Sequence, residues 1–144
     1  MDDTYNLQRF VEAQATVFEQ VLKELREGRK HSHWMWFVFP QITGLGRSET
    51  ARFYAITGIE EARAYLEHPL LGPRLERCAK IIEPQLQWTA RQIFGSPDDL
   101  KLQSSMTLFC VAAPERKIFQ AVLDTFFDGA QDRSTLAKLD SQRG

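Results

Sequence analysis

Cysteine is scarce in this chain of 144 residues: only Cys78 and Cys110 occur, with neither a CxxC pair nor a Cys-His spacing, which excludes a disulfide framework. Each lies among apolar residues and reads as a small buried residue of a reducing compartment. Eight glycines and six prolines without a period exclude collagen-like and low-complexity architectures. Charge of one sign is also lacking, since 18 Lys+Arg face 19 Asp+Glu, 8 against 10 in residues 1–72 and 10 against 9 in residues 73–144. Bulk charge therefore argues against a nucleic-acid partner. Apolar runs such as Trp34 to Phe39 fall far short of the ~20 residues of a bilayer span, so no membrane partner is expected. The first residues, Met1-Asp2-Asp3-Thr4, are acidic and polar where an export signal is basic and then apolar, which points to the cytoplasm.

What is present is the balance of an ordinary globular domain, 43% hydrophobic and 26% charged. A chain of this size buries roughly 70% of its unfolded surface, so no cofactor or staple is needed for stability. Apolar spacing is helical almost throughout. Leu7, Phe10, Val11, Val17, Phe18, Val21, Leu22 and Leu25 predict one long first helix ending at Gly28. Thr57 with Glu60 reads as a capping box for a helix closed by His68-Pro69, and another helix covers about 70–83. Ser96 as cap and Pro97 at the first helical position open a helix through about Ala112. Pro114 opens the next, with Ile118, Phe119, Val122, Leu123, Phe126 and Phe127 inward, and Gly129 stops it. No run alternates as a strand does. The expectation is a single all-α domain over residues 1–144, built of about six to eight short helices, with Phe10, Phe18, Leu22, Phe109, Phe119 and Phe126 buried together.

One segment breaks this regularity. His31-Ser32-His33-Trp34-Met35-Trp36-Phe37-Val38-Phe39-Pro40-Gln41 holds two of the three tryptophans, two of the three histidines and four of the sixteen aromatics. Burial of a short central element explains the aromatics. It does not explain His-Ser-His at the entrance and Gln41 after Pro40, which suit a ligand wall of stacking indoles and hydrogen-bonding imidazoles.

The string from Ser32 to Gln41, followed by Gly44-Leu45-Gly46 and Ser48, resembles the bacterial domain-of-unknown-function family 1810. So do His68-Pro69-Leu70-Leu71-Gly72-Pro73-Arg74-Leu75, Ile93-Phe94-Gly95, and Asp98 with Lys101 and Ser104-Ser105-Met106-Thr107-Leu108-Phe109. The resemblance spans nearly the whole chain and implies a mainly helical single domain without naming a reaction. Members are sometimes labelled calpastatin, but calpastatin's inhibitory regions are disordered and this composition is globular.

The residues themselves suggest two further stretches of chemistry. Gln41 to Ser48, with Gly44, Gly46 and Arg47, is either a plain loop ending in a Ser48 cap or a flexible anion cradle in which Arg47 forks onto a phosphate or carboxylate. Asp98, Lys101 and Ser105 share one helical face with Ser104 at its border, and the apolar continuation from Met106 draws that face into the core. Either these groups serve the helix start and bond back to the preceding turn, or they form a polar pocket wall. His31-x-His33 lacks further ligands at metal spacing, so no metal site is expected. No serine has a nucleophile elbow. Arg26, Arg29 and Lys30 read as a solvated helix end.

Two functions follow. One is a hydrolase or glycosidase acting on a planar, anionic small molecule, nucleotide or ADP-ribose-like. There Asp98 and His33 are catalytic, and Trp34, Trp36, Gln41, Gly44, Gly46, Arg47, Ser48, Lys101, Ser104 and Ser105 bind. The other is a non-catalytic helical interaction or ligand-sensing module, for which no motif specifies a protein partner. The enzyme reading requires His33, Trp34, Trp36, Asp98 and Ser105 to face a common cavity.

Overall fold

Residues 3–143 are described by a computed structural model, in which ten helices and an isolated parallel bridge between Ile42 and Ile56 form the regular structure. The helices are α1 (Gln8–Ala15), α2 (Phe18–Glu27), α3 (Met35–Val38), α4 (Glu49–Phe53), α5 (Ile59–Glu67), α6 (Leu71–Ile82), α7 (Ala90–Phe94), α8 (Asp98–Ala112), α9 (Ile118–Phe127) and α10 (Arg133–Arg143). The all-α expectation holds, with more and shorter helices than the six to eight expected.

The additional elements have local causes. The long first helix is divided at Thr16 and Val17, two successive β-branched residues, which weaken a helix. Just before the break Gln14 is buried, its amide donating to the Phe37 carbonyl at 2.6 Å and the Tyr65 hydroxyl at 3.2 Å. Gly28 ends α2 as expected, in the left-handed conformation at φ 72°, with its N–H on Glu24 and Leu25 carbonyls. Thr57 does not cap with Glu60. Its N–H and hydroxyl both donate to Glu61 Oε1 at 2.9 Å, and Gly58 is the residue before α5. His68 closes α5 and its Nδ1 accepts the N–H groups of Leu70 and Leu71. A capping box beyond those expected, Thr89 with Gln92, starts α7.

The start of α8 also differs from expectation. Pro97, joined to Ser96 by a cis peptide, takes the cap position itself, and neither residue's side chain caps the helix. From there α8 runs through the middle of the molecule, packed by α5, α7, α9 and α10. It buries Leu102, Ser104 to Phe109 and Ala112, so it is enclosed on nearly all sides rather than along one stripe. Phe10, Phe18, Leu22, Phe109 and Phe119 are buried in the same core, and Phe126 packs against it from a half-buried position. Cys78 is fully buried, and burial pushes its thiol up to about 12; Cys110 is only half-buried, which corrects the expectation for it. At the α5–α6 junction a Cβ on Gly72 would stand 1.9 Å from the Leu66 carbonyl oxygen, so only glycine fits.

Candidate functional site

The aromatic segment is held in place by a residue of α2. Glu24 has no exposed surface, and its carboxylate accepts the N–H groups of His31 (2.7 Å) and Ser32 (3.0 Å), the Ser32 hydroxyl (2.6 Å), the Trp34 indole N–H (2.9 Å) and the Gln20 amide (2.9 Å). Burial alone would raise its pKa. The hydrogen bonds from Ser32, Gln20, His31 and Trp34 outweigh that and hold it down at about 2. Glu24 is not among the residues expected from the sequence, although an acid three residues after Val21 and one before Leu25 lies on the apolar side of α2.

Fixing residues 31–34 positions Lys30 and Trp36. The Lys30 side chain is only 8% exposed, and its ammonium stands 3.0 Å from Asp98 Oδ2 and 5.1 Å from the Trp34 ring centroid. It is therefore not part of a solvated helix end. Asp98 Oδ1 in turn pairs with Lys101 at 3.4 Å, whose ammonium stands 5.1 Å from the Trp36 ring centroid. Lys30, Asp98, Lys101 and Trp36 thus form a continuous charged and aromatic chain linking the 30–36 segment to the first turn of α8.

Beside this chain, Trp36, Gln41, Tyr54 and Lys101 line a small notch with Met35 and Phe39 at its base. Its cavity of about 10 Å³ is the size of a single water site. No described residue hydrogen-bonds the Trp36 indole N–H, the Gln41 side-chain amide or the Tyr54 hydroxyl, and all three residues are half-buried.

The remaining expected residues lie elsewhere in this framework. Trp34 is buried, with its N–H committed to Glu24, so it is a core residue rather than a free stacking wall. His33 is exposed and its ring has no hydrogen bond to a described residue. Ser48 caps α4 by accepting the Ala51 N–H at 3.1 Å, and Arg47 beside it is exposed. Gly44 is exposed and lies against the Lys138 side chain, whereas Gly46 packs on Ala51. Ser104 donates to the Leu100 carbonyl and to Asp132, the residue that also accepts from Thr135 at the start of α10. Ser105 is completely buried and its hydroxyl has no partner among the described residues. Of the twelve expected residues, the notch and its charged edge bring together Trp36, Gln41, Asp98 and Lys101, and they add Lys30 and Tyr54.

No group of three or more metal-ligating side chains occurs among the described residues, and none of their helices is long and apolar enough to cross a membrane. Comparison with known proteins locates the chain without assigning it a reaction. None of the curated proteins matches it. The crystal structure of the conserved hypothetical protein Rv1873 from Mycobacterium tuberculosis is similar at 51% sequence identity and a TM-score of 0.94, covering 96% of this chain and 99% of that one. The family described as Protein of unknown function (DUF1810) matches residues 4–139, a span that includes the aromatic segment, the notch and all of α8. On that match, the chain belongs to the DUF1810 family.

Proposed function

We propose that the protein is a ligand-sensing module that binds a planar, anionic small molecule, nucleotide or ADP-ribose-like, over the outer rim of the notch formed by Trp36, Gln41, Tyr54 and Lys101, whose water-sized interior admits a single polar atom of the ligand. The observation that carries this reading is the gathering of three polar side chains without protein partners beside an ammonium held by Asp98. These polar groups are open to water, so a ligand gains there by replacing that water with well-placed partners. Binding requires Lys101 to swing off Trp36. The ligand's ring then takes the indole face, and its anionic group becomes the ammonium's new neighbour, with Lys30 behind Asp98 adding positive charge.

A sensing role fits the geometry better than hydrolysis. Both oxygens of Asp98 are engaged by ammonium groups, and His33 has no described group to orient it. A general acid or base needs a poised proton and a fixed direction.

The test is thermal denaturation with AMP and with ADP-ribose, followed by chromatography of the recovered ligand. At 100 times its dissociation constant a ligand stabilises by about 2.7 kcal/mol. Stabilisation that is lost in Lys101→Met and Gln41→Leu, with the ligand recovered intact, is the expected result. No shift, or a shift that both variants retain, overturns the notch as the site. Recovery of cleaved ligand replaces sensing with catalysis.

A further inference from the structure

Away from the notch, a cleft of about 550 Å³ lies between the second half of α5 and the chain leaving α8. That volume is in the range of small-molecule sites. Its lining is mainly polar, with the buried Leu66, Ala112 and Ala113 as its apolar part. Two arginines reach it, each tethered by one nitrogen. Arg63 donates its Nε to the Ala112 carbonyl at 2.9 Å, and Arg116 places Nη1 3.3 Å from Glu76. The other guanidinium nitrogens of both have no partner among the described residues. Each tether leaves two guanidinium nitrogens free, enough for a bidentate pair with a carboxylate.

The same cleft carries charge of the opposite sign. Glu67 and Glu115 line it, both exposed, while the last carbonyl of α8, at Ala112, is already taken by Arg63. A simple anion meets two carboxylates, whereas a simple cation meets two arginines. A molecule bearing both charges a few ångströms apart satisfies all of them.

We propose that this cleft binds a zwitterionic small molecule of amino-acid type, with its carboxylate on Arg63 and Arg116 and its ammonium on Glu67 and Glu115. The site is independent of the notch and uses none of its residues.

The proposal is tested by calorimetric titration of the intact protein with each of the common L-amino acids and with the N-acetyl and carboxamide forms of each. The N-acetyl form lacks the ammonium and the carboxamide lacks the carboxylate. We expect at least one free amino acid to bind, both of its blocked forms to bind at least roughly tenfold more weakly, and Arg116→Gln and Glu67→Gln each to weaken it by a similar factor. Both substitutions are at partly or fully exposed residues, so the fold is preserved, and an unchanged thermal midpoint verifies this. Failure of every free amino acid to bind overturns the proposal. So does equal binding of a blocked form, or unaltered affinity in both variants.

Discussion

The Glu24 carboxylate accepts the Trp34 indole N–H at 2.9 Å within the core, tying the last turns of α2 to the aromatic segment that follows. A charge buried this completely is tolerable because several donors surround it, and those donors depend equally on the charge. Glu24→Gln turns an amide N–H toward at least one of them. We predict a loss of roughly 3 kcal/mol or more in urea unfolding, together with increased fluorescence quenching of Trp34.

The same residue sets a pH dependence. Its pKa is about 2 in the folded protein against 4.5 as the ordinary value, so its charge-linked stability is complete above about pH 4.5 and is lost as the pH falls toward 2. The difference corresponds to about 3 kcal/mol. Urea midpoints across this window should fall more steeply for the parent protein than for Glu24→Gln, and parallel curves would refute the assignment.

Lys30 and Lys101 share Asp98 but not their surroundings. The Lys30 side chain is 8% exposed and that of Lys101 is 24% exposed. Lys30→Ala should therefore cost roughly 1–3 kcal/mol, and Lys101→Ala no more than about 1 kcal/mol. Asp98→Asn should resemble Lys30→Ala, because it leaves the Lys30 ammonium largely buried without its counter-charge. Chemical denaturation of the three variants ranks them directly.

Neighbouring serines on α8 should respond oppositely. Ser104 bonds both Leu100 and Asp132, so Ser104→Ala should cost about 1 kcal/mol. Ser105 has a buried hydroxyl without a partner among the described residues, so Ser105→Ala should be neutral or stabilising by up to about 1 kcal/mol. A marked loss from Ser105→Ala would show that its hydroxyl has a partner such as a bound water.

Gly72→Ala tests the α5–α6 contact. The added Cβ meets a backbone oxygen at 1.9 Å, which no rotamer change relieves. Circular dichroism melting should show a loss of at least roughly 3 kcal/mol or failure to fold, whereas alanine at Gly95 meets no atom within 4 Å and incurs only the strain of its positive φ.

The all-helical fold and several helix ends were legible in the sequence because their causes are local. Apolar residues recur at helical spacing along α2 and α9, Gly28 supplies a left-handed C-cap, and His68-Pro69 stops α5 within its own turn. Local reasoning failed where a more distant residue competed for a group. Thr57 bonds Glu61 rather than Glu60, and Gln14 is drawn toward Phe37 and Tyr65 where the first helix was expected to continue.

The candidate site divides along the same line. Composition singles out the 31–41 segment and helical spacing the 98–105 segment, since aromatics beside histidines, and charges on one face leading into an apolar helix, are unusual wherever they occur. Which side chains meet depended on how α2, α3, α4 and α8 approach one another. That packing buried Glu24 and Trp34, brought Lys30 to Asp98, set Tyr54 beside Gln41 and left His33 in solvent. Helical periodicity and capping are properties of a few consecutive residues, so the sequence determines them by itself. Burial of a charge and the pairing of distant side chains depend on which surfaces exclude water together, and only the tertiary structure decides that.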